Sequence, residues 1–196
     1  MKSRSHGGTG GAPRDKDGAA PAPWWAGKRP IFQFVGLFVF FLALFYAITF
    51  IPFFNKRLLP KFQVLNAVVS ASILNVFGEG ARAVETSITS ARNSVDIAHG
   101  CDAIDPILLF TAAVLAFPSP LLRKIPGLLT GTVVLMAINL IRIVSLYYAR
   151  IHVPKWFETL HVDVWQPAFV LLSLVFWILW ALWATKPRPV SADAAT

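Results

Sequence analysis

Four long apolar runs constrain this chain more than any other feature of its sequence. They cover approximately residues 31–51, 101–117, 127–148 and 164–185, and charged side chains are rare within them. A helix needs about 20 apolar residues to cross a hydrocarbon core of about 30 Å. The whole chain is 56% hydrophobic and only 14% charged, which is outside the usual range of soluble domains. The pattern predicts an all-α fold, a polytopic membrane helix bundle with four spans.

The two ends of the chain have a different composition. Residues 1–29 are rich in Gly, Ala, Pro and charged side chains, so we expect a disordered tail. Six of these residues are basic and two are acidic, and this positive bias predicts that the tail is cytoplasmic. The membrane-embedded domain is then expected at residues 30–186, and residues 187–196 form a short polar tail in the cytoplasm. The formal net charge of +8 comes mainly from short flanks of the apolar runs, which indicates membrane orientation and no nucleic-acid partner.

The segment of residues 61–77 has two possible interpretations. Gln63, Asn66 and Ser70 fall on one helical face, so an amphipathic helix can lie at the membrane interface or pack against the other spans. The same segment is also long enough that it could cross the membrane. We favour a helix that does not cross, because the basic loops that precede the third span and follow the last one then lie in the cytoplasm.

Residues 79–98 separate this helix from the next apolar run. Polar and β-favouring residues alternate here on both sides of residues 90–93. This alternation predicts a short β-hairpin outside the membrane.

Cys101 is the only cysteine in the chain, so an internal disulfide or a CxxC site is excluded. A lone cysteine either packs as a small hydrophobic side chain or acts as a nucleophile. Gly100 permits a sharp turn just before it, and an apolar helix is expected to follow. The partial positive charge of a helix start lowers the pKa of a nearby thiol, which favours the thiolate.

Arg142 lies inside the third apolar run, where a charged side chain costs about 2.5 to 3.5 kcal/mol on insertion scales. Such an arginine faces a partner or a cavity, or its side chain reaches the membrane surface. Asn139 precedes it by three residues on the same helical face and can hold the guanidinium or line the same cleft.

His161 stands just before the last apolar run, where an imidazole can accept the proton of a thiol and later protonate a leaving amine. His99 and His152 are competitors for this role, and an ordinary surface histidine is the alternative. Three consecutive spans bring the neighbourhoods of Cys101, Arg142 and His161 to one side of the bilayer.

The order and spacing of Cys101, of Asn139 with Arg142, and of His161 resemble the exosortase/archaeosortase family of membrane cysteine transpeptidases. The small size of the chain is similar to that of the exosortase H type. The resemblance implies that Cys101 attacks a peptide carbonyl and forms a thioester, that Arg142 stabilises the thiolate or the oxyanion, and that His161 is the general acid and base. No metal or organic cofactor is implied.

The resemblance also implies the partners and the location of the protein. The substrates would be exported proteins that end in a short motif, a transmembrane helix and a basic tail. The enzyme would be a multi-pass protein of the bacterial inner membrane, in contact with the lipid bilayer, and its active site would face the periplasm. The alternative function is a non-catalytic membrane scaffold or assembly subunit, in which the arginine is a polar contact between helices.

Overall fold

The computed structural model describes residues 29–97 and 100–186. The tails predicted at the two ends lie outside the described residues, apart from Arg29, which is the first residue of a helix. His99 also lies outside them.

Five α-helices form a bundle, and this confirms the predicted all-α membrane fold. Three helical stretches are long and apolar enough to cross a membrane, and a fourth apolar helix has only 13 residues. The helices are α1 (Arg29–Thr49), α2 (Leu59–Val76), α3 (Ile104–Ala116), α4 (Leu121–His152) and α5 (Gln166–Ala184). π-helical turns precede α2 (Phe54–Leu58) and α5 (Thr159–Trp165), and a 3-10 turn (Pro154–Trp156) follows α4.

Helix α3 is shorter than the apolar run that contains it. It begins at Ile104 and not at Cys101, because Ala103 adopts a left-handed backbone conformation with φ of 68°. It ends before the segment that carries Pro118 and Pro120, where a helix cannot continue with its hydrogen bonds intact.

The direction of α1 is fixed by contacts near its two ends. Near its start, Phe34 stacks on Trp177 in the second half of α5, with 5.5 Å between the ring centroids. Near its end, the Tyr46 hydroxyl donates a hydrogen bond of 3.1 Å to Asp105 in the first turn of α3. Helix α1 therefore starts beside the end of α5 and ends beside the start of α3.

The beginning of α4 lies at the same end of the bundle as the start of α1. The Lys124 ammonium donates to the carbonyl oxygen of Leu115 in the last turns of α3, at 2.6 Å. The indole N–H of Trp180 donates to the carbonyl oxygen of Arg123 at 3.1 Å. We call this the basic end, and the opposite one the site end. Among the described residues the basic end carries cations and no Asp or Glu, whereas the site end carries both acidic and basic side chains; the cations of the basic end are Arg29, Arg123, Lys124 and Lys186.

Helix α2 runs beside the second half of α4 and does not reach the basic end. Its first turn lines an apolar cleft together with Leu108 and Thr132, near the middle of α3 and α4. Its last turns share a hydrophobic core with Ile143, Leu146 and Tyr147. The chain leaves α1 at the site end and is still at that end when it enters α3, so α2 does not return it to the basic end.

The polar face of α2 packs against other helices, which was one of the two predicted placements. Asn66 and Ser70 are fully buried, and the Gln63 side chain donates a hydrogen bond of 3.2 Å to Asp102. This face therefore supplies polar contacts inside the bundle, next to Cys101.

Two glycines on α4 allow close packing near the basic end. A Cβ atom at Gly127 would overlap the indole of Trp180, and one at Gly131 would overlap the ring of Phe110. The spacing of three residues between two glycines is a known helix-contact pattern in membranes. Here it brings α3 and α5 against α4 within one chain.

The segment after α2 forms three antiparallel strands and not only the predicted hairpin. These are β1 (Arg82–Val84), β2 (Ser87–Thr89) and β3 (Ser94–Asp96), in the order β1-β2-β3. The predicted pairing corresponds to β2 and β3, whose turn is closed by a 2.8 Å hydrogen bond from the Ser90 N–H to the Asn93 carbonyl. The left-handed Glu85, with φ of 53°, reverses the chain between β1 and β2 and so adds the extra strand.

The sheet is attached to the site end of the bundle. Ile88 of the central strand is fully buried in the core shared with α2 and α4. The hydroxyl groups of Ser90 and Tyr147 are 2.6 Å apart, and Glu79 forms an ion pair of 3.7 Å with Arg92. These contacts hold the sheet over the end of α4.

Candidate active site

Cys101 lies in a tight turn that leads into α3. Gly100 has a φ of 94°, which favours glycine, and Ala103 is left-handed as well. The carboxylate of Asp102 accepts a hydrogen bond of 3.2 Å from the N–H of Ile104, the first residue of the helix. The turn leaves Cys101 as a whole 8% exposed. Cys101 is therefore fixed at the rim of the bundle, just before the helix.

His161 lies next to the cysteine sulfur. Its Nε2 atom is 2.8 Å from Sγ of Cys101, although 60 residues separate the two in the sequence. The imidazole belongs to the π-helical turn before α5, and its ring lies 5.8 Å from that of Phe157. The structure thus brings a thiol and an imidazole within hydrogen-bond distance.

Arg142 is buried inside the bundle, where its side chain contacts another part of the protein. Its exposed fraction is 1%, and its Nη1 donates a hydrogen bond of 2.9 Å to the carbonyl oxygen of Gly100. Nε and Nη2 have no hydrogen-bond partner within residues 29–97 and 100–186. The guanidinium therefore keeps two donor groups available beside the cysteine.

The position of Arg142 along α4 places the site near a membrane boundary. It follows Arg123 by 19 residues (142 − 123), which corresponds to about 28 Å of helix. This length is close to the thickness of a hydrocarbon core, about 30 Å. With Arg123 at one boundary, Arg142 lies at the other, and the last turns of α4 extend beyond it with the sheet.

Asn139 is also buried, but it does not hold the guanidinium by a hydrogen bond. Its Nδ2 lies 3.4 Å from Oδ1 of Asn66 on α2, and its Oδ1 has no hydrogen-bond partner among the residues that the structure describes. Asn139 connects α4 to α2 about one helical turn before Arg142 in the sequence. Its supporting role therefore stays a prediction, and its contacts point to positioning of the helix.

Asp102 also belongs to the site, although the sequence pattern did not point to it. Its carboxylate is 1% exposed and accepts the hydrogen bond from Gln63, which links α2 to the cysteine turn. Its charge also acts on Cys101 and on Arg142. The signal was available in part, because Asp102 is adjacent to the cysteine and Gln63 lies on the polar face of α2.

Burial raises the pKa of the Cys101 thiol above its ordinary value. The positive charge of Arg142 acts in the opposite direction, and the negative charge of Asp102 raises the pKa further. Burial has the largest effect, so the predicted lowering of this pKa by the helix start is wrong. The helix begins only at Ile104, and the loss of water around the buried cysteine favours the neutral thiol.

Two clefts meet at this site. The first has a volume of about 430 Å³ and is lined by Cys101, His161, Val162 and strand β3. The second, of about 380 Å³, lies between the starts of α3 and α5 and is lined by Gly100, Arg142 and Val162. Val162 lines both clefts.

Other polar side chains at the site end lie away from the sulfur or serve the fold. His152 is exposed at the end of α4, with its ring 6.2 Å from that of Tyr148. Asp105 accepts the hydrogen bond from Tyr46. In the part of the chain that the structure describes, no group of three His, Cys, Asp or Glu side chains is arranged to hold a metal ion.

Comparison with known proteins gives one family. The model of the transmembrane exosortase family (Exosortase_EpsH) matches residues 23–181, which include the cysteine turn, α4 and the π-helical turn with His161. The searches of curated proteins and of solved structures found no match.

Proposed function

Because this chain belongs to the transmembrane exosortase family, we propose that it is a membrane-embedded cysteine peptidase and transpeptidase that cleaves the C-terminal sorting signals of exported proteins. The observation that supports this most directly is the distance of 2.8 Å between Sγ of Cys101 and Nε2 of His161. A thiol beside an imidazole is the arrangement from which a cysteine nucleophile is generated.

In the proposed reaction, Sγ of Cys101 attacks the scissile carbonyl carbon while its proton passes to Nε2 of His161. The pKa of the thiol is raised by burial, so proton transfer to the imidazole accompanies the attack. The carbonyl oxygen gains negative charge, and the free donors of Arg142 stabilise it.

The intermediate then collapses and the C–N bond breaks. His161 returns the proton to the leaving amine, which carries the transmembrane helix and the basic tail of the substrate. The exported part stays on Cys101 as a thioester. An amine acceptor or water then attacks the thioester carbonyl, and the thiol is regenerated.

The two clefts suit a substrate of this kind. A peptide segment can occupy the cleft beside β3, while the membrane helix that follows it can lie against α3 and α5 near the second cleft. The basic tail of the substrate would then lie at the basic end of the bundle. We propose that the site end faces the periplasm of a bacterial inner membrane, with the basic end in the cytoplasm.

The experiment is replacement of the cysteine in living cells. In a strain whose own copy is replaced by Cys101→Ala, we expect the exported substrates to keep their C-terminal helices, while the variant protein remains in the membrane. In the wild type, mass spectrometry of the acid-quenched enzyme should detect a peptide in thioester linkage to Cys101. Normal processing by the alanine variant would exclude a nucleophilic role for this residue.

A non-catalytic scaffold would give a different pattern. Cys101→Ser would then have no effect, and substitutions of the buried Arg142 would reduce the amount of protein in the membrane instead.

A further inference from the structure

Among residues 29–97 and 100–186, no strand pairs with the outer edge of β3, which lies at the cleft that contains Cys101. The sheet order is β1-β2-β3, so β3 pairs with β2 on one side only. Ser94, Val95 and Asp96 all line the cleft that also contains Cys101 and His161.

The hydrogen bonds between β2 and β3 show which backbone groups of β3 point away from β2. The carbonyl oxygen of Asn93 accepts from Ser90, and the N–H of Ile97 donates to Thr86, so these two residues face β2. Backbone groups of successive residues point to opposite sides of a strand. Val95 therefore also faces β2, whereas the N–H and C=O groups of Ser94 and Asp96 point outward.

The side chains of β3 leave this edge accessible. The carboxylate of Asp96 accepts hydrogen bonds of 3.0 Å from the hydroxyls of Thr86 and Ser87, so it is held on the sheet. Ser94 and Asp96 are both exposed. An unpaired edge with outward N–H and C=O groups is a template for pairing with another extended chain.

We propose that this edge binds the substrate, whose extended segment before the scissile bond pairs with Ser94 and Asp96 as a fourth strand. This inference rests on the proposed function and specifies how the same site recognises its substrate. The backbone contacts provide affinity for any extended peptide. Side chains that line the cleft, among them Leu146, Phe157 and Arg150, provide selectivity at alternate positions of the peptide.

The test uses the fact that Cys101 is the only cysteine. The full-length protein in detergent micelles is treated with acetyl-trialanine chloromethyl ketone or with chloroacetamide, and intact mass gives both rates of alkylation. In each reaction a thioether forms at Sγ, chloride leaves and the thiol proton is lost. For each reagent, the rate with the protein is divided by the rate with a free thiol in solution. We expect this ratio to be about tenfold larger for the peptide reagent than for chloroacetamide, because two or three edge hydrogen bonds hold the peptide.

Two proline variants give a matched comparison. Ser94→Pro removes an outward N–H from β3 without removing a backbone hydrogen bond to β2, and proline is tolerated at such edge positions. It also removes the side-chain hydrogen bond of 3.2 Å between the hydroxyls of Ser94 and Thr89. Ala83→Pro does the same on β1, because Ala83 is paired with Ile88, whose backbone groups face β3. We expect Ser94→Pro to reduce the rate advantage of the peptide reagent about threefold to tenfold and Ala83→Pro to leave it unchanged.

If Ser94→Pro does not fold, a series of N-methylated peptide reagents tests the same proposal on the wild-type protein. N-methylation of single amides should reduce the rate with the wild-type protein at alternate positions only, which is the signature of strand pairing. No rate advantage, or the same effect at every position, would overturn the edge proposal. Failure of the edge proposal is distinguishable from failure of the catalytic proposal. If the rate advantage is absent but Cys101→Ala does not process exported proteins, only the edge proposal falls. Normal processing by Cys101→Ala refutes the catalytic proposal itself.

Discussion

Nη1 of Arg142 donates a hydrogen bond of 2.9 Å to the carbonyl oxygen of Gly100, the residue just before Cys101. One contact thus fixes the guanidinium of α4 and the turn that presents the sulfur. Nε and Nη2 of the same group have no hydrogen-bond partner among the described residues, and in the proposed reaction they would donate to the oxyanion.

The first prediction concerns this arginine. Arg142→Lys keeps the charge but loses the planar set of donors, so it cannot contact Gly100 and an oxyanion together. We expect substrate processing to fall by about 10²- to 10³-fold. The measurement is the rate of processing per amount of membrane-inserted protein. Arg57→Lys, at an exposed position, is the control and should retain full activity.

The second prediction concerns His161. His161→Gln keeps a polar side chain of similar size but cannot exchange a proton near neutral pH, so we expect a loss of about 10²- to 10⁴-fold in processing. His152→Gln is the matched control, because His152 is exposed at the end of α4. Equal activity of the two variants would contradict the assignment of the proton acceptor.

The third prediction concerns the pH dependence of the thiol. Burial raises the pKa of Cys101, so its alkylation by iodoacetamide should increase with pH through a midpoint above about 8.5, the ordinary value. Arg142→Gln removes a positive charge that lowers this pKa and should move the midpoint upward. Asp102→Asn removes a negative charge that raises it and should move the midpoint downward.

The denatured protein provides the reference for this titration, since its single cysteine is solvated. A wild-type midpoint below that of the denatured protein would show instead a thiolate paired with an imidazolium in the resting enzyme.

The fourth prediction concerns packing at the basic end. Gly127→Ala and Gly131→Ala place a methyl group against Trp180 and Phe110, and such overpacking costs about 1 to 3 kcal/mol. We expect a lower midpoint of thermal unfolding in detergent. Gly36→Ala on α1 meets no atom within 4 Å and should leave the midpoint unchanged or raise it slightly.

The fifth prediction concerns topology. In a Cys101→Ser background, Arg92→Cys places a thiol on the exposed side of the sheet and Leu121→Cys places one at the basic end. We expect a membrane-impermeant maleimide to label the first in intact spheroplasts and the second only after lysis. The opposite result would reverse the proposed orientation of the site.

Local rules predicted much of the fold. The apolar runs predicted the membrane helices, because length and hydropathy alone decide whether a segment can cross a bilayer. The apolar runs did not predict that α3 starts at Ile104, three residues after Cys101. The left-handed Ala103 that delays the helix depends on the packing of the turn against α2 and α4. The strand β1 was also missed, because its three residues gain stability only from the pairing with β2 and the contact with α2.

The sequence by itself determined that this chain is a helical membrane protein and that one cysteine, one arginine and one histidine fall near the same side of the bilayer. Both follow from composition and from the number of spans between residues. Only the tertiary structure decided that the sulfur and the imidazole lie 2.8 Å apart, that Arg142 is buried beside them, and that Asp102 and Gln63 connect α2 to the site. Such distances depend on how helices pack, and helix packing is a property of many side chains together. Burial likewise reversed the expected direction of the thiol pKa, because the cost of desolvation depends on neighbours that are distant in the sequence.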